Sequence, residues 1–449
     1  MTSRVGPAGG GMRCSSDAGR LPGGNQQGQV LVLGMLLAGA VAFAFVHHFE
    51  TGTVLAEKVR QDHVLDAAAY SGALVQARSL NMLAYIHRAQ AAHQVAMAHL
   101  VTLGSLAHFA GTEAQRAAMA NPPAYVIAMH FGPEHAAAYL SALQASGLEA
   151  VAVEGGSLAS AYARHDASVR TVLTSAASRV AEGLVDTRNQ AMQEVLRANY
   201  PGETDFHLRM VDDDTSTYLV RQSGQAVLAP FMRRIAQLYA FLEPRNETRR
   251  SLFPVSARCP TRRHELRRRG MTVLDDQGRW QSVDTQAYHA LRSNRWIGCY
   301  YREYPMGWGW ILPEAAAELD LEYVGEAPDT FGQQDFWRWV QQSTAWNIAT
   351  GDGNPLATSW GHANRQAWQG GGLPSYHDLA SDRRLTAAHF TVELERLRHD
   401  GIRVRSRSAA EAYFRRPHER ADRRRELAST FHPYWHARLR TPAAAPGEN

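Results

Sequence analysis

Twenty histidines make acid–base chemistry and metal ligation the first possibilities to weigh in this 449-residue chain. His87, His93 and His99 recur every six residues. On a helix that spacing turns each imidazole about 120° from the last, so the three cannot converge on one ion. His432 and His436 have the i,i+4 spacing that zinc-binding helices use, but Pro433 stands between them and no glutamate accompanies them as in HExxH. His377-Asp378 and His399-Asp400 could serve as acid/base pairs, although adjacent residues in turns more often cap backbone groups. No G-x-S-x-G, Walker A or CxxC pattern is present. No catalytic residue, metal or cofactor is therefore expected, and the chemistry to look for is binding.

Two arginine runs are the strongest charge features: Arg262 to Arg269 (RRHELRRR) and Arg415 to Arg425 (RRPHERADRRR). Each is either a solvated face or a surface for acidic partners such as lipid headgroups or other subunits. The formal net charge is only +4, and Lys58 is the sole lysine. So mild and dispersed an excess does not argue for nucleic acid.

These groups must be positioned by the elements around them, and the chain begins with an unusual one. Val30 to Val46 is seventeen residues without a charge or strongly polar side chain. That is roughly 26 Å of helix, which Gln29, His47, His48 and Phe49 can extend through a hydrocarbon layer of about 30 Å. Val30, Leu36, Val41 and Val46 are expected to face lipid; a secretory signal or a buried core helix are the alternatives. The short tail before it carries Arg4, Arg13 and Arg20 against Asp17 alone, which favours a cytoplasmic amino terminus and an extracytoplasmic bulk. Cys259 and Cys299 then fall in an oxidising compartment, where they are expected to pair, and Cys14 stays reduced.

From Gly23 to Asn121 there is no proline, so the apolar helix should continue outward as one long helix or two stacked ones. Val75, Ser79, Met82, Ile86, Ala89, His93, Ala96, Leu100, Leu103 and Ala107 alternate steps of four and three, the mark of a coiled-coil seam. Its partner is either another subunit or the chain's own later helices. Glu134 to Ser146 and Leu158 to Asn199 read as further helices. Beyond Pro201 the texture changes, and all ten tryptophans lie between Trp280 and Trp435. Three hairpins are expected there: His207–Val211 with Thr215–Val220, Met271–Leu274 with Arg279–Val283, and Phe390–Arg396 with Ile402–Ser406. The fold class is α+β. It comprises a disordered cytoplasmic tail (1–28), a transmembrane helix (29–49), a helical stalk and helical region (50–200) and an aromatic-rich extracytoplasmic domain (201–449).

Gly28-Gln29, the apolar helix and Asp66-Ala67-Ala68, about twenty residues past the membrane, together resemble the amino-terminal segment of TadE/TadG-like Flp pilus-assembly proteins. Glu411 to Pro417 and Phe431 to Leu439 are similar to carboxy-terminal segments of TadG-related proteins. Five residues past Gly28 stands Leu33, where pilins cut by a prepilin peptidase carry glutamate, so the helix is expected to be retained. The resemblance implies a single-pass protein of the bacterial inner membrane that acts in Flp (tight-adherence) pilus assembly, adhesion or a related secretion system. Its partners would be other assembly proteins, or further copies of itself, bound through Val75, Met82, Ile86, His93, Leu100 and Leu103. A membrane-anchored cell-envelope hydrolase is the alternative.

Overall fold

The computed structural model describes residues 27–203, 206–220, 225–294, 298–313, 365–374, 387–398, 401–424 and 426–442. The first helix, α1, runs without interruption over Gln27–Ala118. It holds the one stretch, among the described residues, that is long and apolar enough to cross a membrane, and the chain itself buries none of that stretch. Val30, Leu36, Val41 and Val46 are all exposed. A signal sequence would share this length and position.

The chain divides into two compact units, Met1–His63 and Val64–Asn449. The second takes in both the helices before Pro201 and the sheets after it. Its further helices are α2 (Ala124–Phe131), α3 (Pro133–Ser141), α4 (Ser157–Ala167), α5 (Ser175–Asn199), α6 (Thr215–Val220) and α7 (Gln225–Ala236). A π-helical stretch, Ser168–Thr174, joins α4 to α5, so the long amphipathic segment before Tyr200 is helical throughout. α3 ends at Ser141 and continues as a 3₁₀ turn over Ala142–Ala145. α2, between Pro123 and Gly132, has no counterpart in the pattern reading.

Among the described residues, nine strands form two sheets: β1 (Phe206–Asp213), β2 (Glu247–Arg250), β3 (Glu265–Leu274), β4 (Trp280–Asn294), β5 (Gly298–Leu312), β6 (Arg365–Ala367), β7 (Ala387–Leu397), β8 (Arg403–Phe414) and β9 (Trp435–Arg440). One sheet has the order β1-β7-β8-β9 and is antiparallel throughout. The other has the order β2-β3-β4-β5-β6, with only the β5–β6 pair parallel. The β3–β4 and β7–β8 hairpins fall where the turn residues place them. Gly278 adopts φ +75° in the first of these turns, and Asp275 Oδ1 accepts the Arg279 amide at 2.7 Å. Cys259 and Cys299 are joined by a disulfide.

Thr215–Val220 is not a strand. It is the helix α6, and β1 pairs instead with β7, Phe206 opposite Arg396. The run Asp212-Asp213-Asp214, expected to form a hairpin turn, ends β1 and leads into that helix. Asp213 Oδ1 accepts the Thr215 amide (3.0 Å) and the Asp214 carbonyl accepts the Tyr218 amide (2.7 Å). Carboxylates at a helix amino terminus also complement its dipole.

The core is strung along α1. Leu65, Ala69 and Ala73 pack with Phe390, Val392 and Met192; Leu80, Leu83 and Ile86 with Leu184, Ala412 and Trp435. Met97, Ala98 and Val101 pack with Trp280, Ile311 and Trp368. The buried stripe therefore has the period expected of the seam, but not its phase. Ile86 is buried, Val75, His93 and Leu100 are half-buried, and Met82 and Leu103 are exposed. The buried set sits one residue later, at Leu80, Leu83, His87, Gln90, Gln94, Met97 and Val101, which is about 100° around the helix. Its polar members mask it from hydropathy, and they are bonded across to other elements. Gln76 Nε2 donates to the Ala388 carbonyl (3.1 Å), Gln94 Oε1 accepts Trp280 Nε1 (3.0 Å), and Thr102 and Thr272 share a hydroxyl bond (2.7 Å). Ser105 donates to the fully buried Asp284 (2.5 Å), whose two oxygens are also held by Arg245 at 2.8 and 2.9 Å. Close approach of α1 to β5 requires Gly309, where a Cβ would overlap the Ser105 carbonyl and the Phe109 amide nitrogen.

Candidate functional site

Asp66, the acidic residue of the Asp66-Ala67-Ala68 motif, is half-buried and accepts a hydrogen bond from Ser408 Oγ at 2.6 Å. Ala68 is fully buried beside it and Ala67 is exposed. Further along α1, Asn81 meets the first residue of β9: its Nδ2 donates to the Trp435 carbonyl (2.9 Å) and its Oδ1 accepts the Trp435 amide (3.0 Å). His87 Nδ1 lies 3.1 Å from the Thr430 carbonyl and hydroxyl. The carboxy-terminal segments singled out in the sequence are thus the paired strands β8 and β9 and the loop between them. Tyr413 stands opposite His436 and Phe414 opposite Trp435. They are packed on the helix that carries the amino-terminal motif.

The loop joining these strands, 415–434, builds a cleft of about 670 Å³ against the ends of β7, β8 and β9. Among the described residues, six arginines line it: Arg415, Arg416, Arg420, Arg423, Arg424 and Arg438. Three are engaged. Arg416 holds Glu426 at 2.6 Å, Arg420 chelates Asp422 at 2.8 and 2.9 Å, and Arg438 is bonded to Glu411. Hydrogen bonds from Arg420 hold Asp422 down to about 2, below the ordinary carboxylate value. Among the described residues, no carboxylate lies within ion-pair distance of Arg415, Arg423 or Arg424. Arg423 has φ +56°, a left-handed backbone that a non-glycine residue adopts at a cost, here at the turn that presents it to the cleft. What such a surface does chemically is bind anions, since each guanidinium offers a planar fork of donors matched to two oxygens.

Among the described residues, the histidines singled out by their spacing do not converge on one ion. His93 and His165 bring their Nδ1 atoms to 2.6 Å, and His99 packs its ring 4.7 Å from that of Phe241. His432 Nε2 is 3.0 Å from Glu426, while His436 Nε2 approaches the Arg415 carbonyl at 3.1 Å, so the two do not face a common ion. Burial keeps His432 below the ordinary imidazole value, with Glu426 pulling it upward. Among the described residues, no group of three His, Cys, Asp or Glu could hold a metal. His377-Asp378 and His399-Asp400 lie outside the described residues. One cluster had no signal in the spacing: His389 is bracketed by Asp212 (3.0 Å) and Asp214 (2.6 Å), and Asp213 between them holds the fully buried Arg188 at 2.6 Å. Successive residues of an extended strand point to opposite faces, so alternate aspartates share one partner. Only the β1–β7 pairing brings His389 to them.

No family model, curated protein or solved structure matches the chain.

Proposed function

We propose that the chain is a single-pass component of a Flp (tight-adherence) pilus assembly or a related secretion system in the bacterial inner membrane. It acts by binding rather than catalysis, with its amino terminus cytoplasmic and its mixed α+β bulk periplasmic. The observation that carries this reading is the meeting of the segments on which the resemblance rests. Asp66 and Asn81 of α1 are bonded to Ser408 and Trp435, more than 340 residues away in sequence, so the motifs at the two ends belong to one packed structure. The exposed apolar head of α1 suits a membrane anchor, and the Cys259–Cys299 bridge suits an oxidising compartment.

Two experiments in the native host test the reading. Deletion of the gene is expected to abolish surface pili and adhesion, and protease added to spheroplasts is expected to digest the chain beyond about Thr51 while leaving a small protected fragment. Pili that survive deletion would refute the assembly role and bring the envelope hydrolase forward. A chain fully protected from protease would reverse the orientation.

A further inference from the structure

The arginine cleft at the β8–β9 loop is the strongest unassigned feature of the molecule. The geometry points to it as a binding site for a phosphate-bearing ligand with more than one anionic group. This goes beyond the assembly reading and does not depend on it. Arg415, Arg423 and Arg424 line one cleft and, among the described residues, have no carboxylate within ion-pair distance, beside three other arginines whose charge Glu426, Asp422 and Glu411 already offset. Like charges held together without counter-charge repel, and an anion entering the cleft relieves that repulsion as it forms charge-assisted hydrogen bonds. A carboxylate alone does not organise them. Glu419 lines the same cleft and, among the described residues, is within ion-pair distance of none of its arginines. A phosphate group carries close to two charges and three acceptor oxygens, and can bridge guanidiniums that a single carboxylate cannot. A volume of about 670 Å³ admits several such groups, which favours an oligophosphate or a phosphorylated headgroup over one inorganic ion. Tyr413 and Phe414 line the cleft beside the arginines.

The test uses the full chain in phosphatidylcholine nanodiscs and titrates it with inorganic triphosphate by calorimetry. Wild type should bind, more weakly as salt is raised. Arg415→Gln/Arg423→Gln/Arg424→Gln should weaken binding at least about tenfold. Arg179→Gln/Arg234→Gln/Arg258→Gln removes the same charge from exposed sites elsewhere and should change it less than about twofold. Equal loss in both triples would reduce the effect to net charge and overturn the site. So would an unchanged affinity in the cleft triple whose circular dichroism and melting match wild type. Tighter binding of poly-glutamate than of triphosphate would also overturn it, in favour of an acidic protein partner. A second arm assigns the source of the phosphate. Cleft-dependent retention on phosphatidic acid vesicles identifies a lipid headgroup, and triphosphate binding without such retention identifies a soluble ligand.

Discussion

Asn81 offers the sharpest perturbation, because one side chain does the work of a missing strand neighbour. β9 is an edge strand, and Trp435 at its start would turn an amide and a carbonyl away from β8 with nothing to receive them. The Asn81 amide group supplies both partners, at 3.0 and 2.9 Å. Asn81→Ala removes two hydrogen bonds, each worth about 1 kcal/mol net, and strands two backbone groups at a partly buried position, for a total of about 2–4 kcal/mol. Asn81→Asp keeps an acceptor for the Trp435 amide but places negative charge against its carbonyl, so it should cost at least as much as alanine. Two readouts follow both changes in the full chain: the denaturation midpoint, and hydrogen exchange at the Trp435 amide. An Asn81→Ala protein within about 0.5 kcal/mol of wild type, with Trp435 protection intact, would refute the reasoning.

Leu83→Ala should cost about 2–5 kcal/mol because Leu83 is wholly enclosed by the chain's own elements, whereas Met82→Ala, at a 51% exposed residue, should stay within about 0.5 kcal/mol. Similar midpoints for the two variants would reject the phase of α1. Reducing the Cys259–Cys299 bridge, which closes a separation of 40 residues, should cost about 4 kcal/mol in the chain-entropy view. Maleimide applied to the unreduced, denatured chain should modify one of its three cysteines; labelling of all three would disprove the bridge. Burial raises Glu113 from 4.5 to about 7, with Arg268 opposing, so the folded state keeps a proton that the unfolded chain loses first. The contribution of Glu113 is therefore full below about pH 4.5 and about 3 kcal/mol of it is lost as pH rises from there through 7. Glu113→Gln should flatten the dependence of the midpoint between pH 5 and 8, and a slope equal to that of wild type would show that Glu113 is not its source.

How much of this was legible depended on whether neighbours in sequence or neighbours in space decide the outcome. The length of α1 follows from the missing prolines, and the β3–β4 and β7–β8 hairpins from Asp-rich turns ending in Gly278 and Gly401. The same aspartate signal failed at 212–214, because a run of acids serves equally to end a strand and to start a helix. The choice was made by β7, which offers β1 a longer antiparallel partner than six residues after a turn could. In the cleft, the density of arginine was plain from Arg415 onward. Which guanidiniums lack a carboxylate partner among the described residues was not, since Glu411 lies on β8 and the fold of the loop brings Asp422 and Glu426 to Arg420 and Arg416.

The misplaced phase of α1 has the same origin and a further physical consequence. Its buried apolar residues are largely alanines, among them Ala68, Ala69, Ala73, Ala77, Ala84, Ala91 and Ala98. Such a stripe looks nearly the same after a slip of one helical turn, about 5.4 Å, so packing alone fixes the axial position of α1 over the two sheets only loosely. Gln76, Asn81, His87, Gln90, Gln94, Thr102, Ser105 and Thr112 each reach a particular group on another element. They are spread over about 54 Å of helix, and a one-turn slip would break all of them at once. Each buried group left without a partner would cost about 1–3 kcal/mol, which makes the slipped state far less stable than the apolar stripe alone would. The polar residues that hid the buried face from a hydropathy pattern are therefore the ones that set its register, and the positions of Asp66 and Asn81 against the carboxy-terminal strands follow from them.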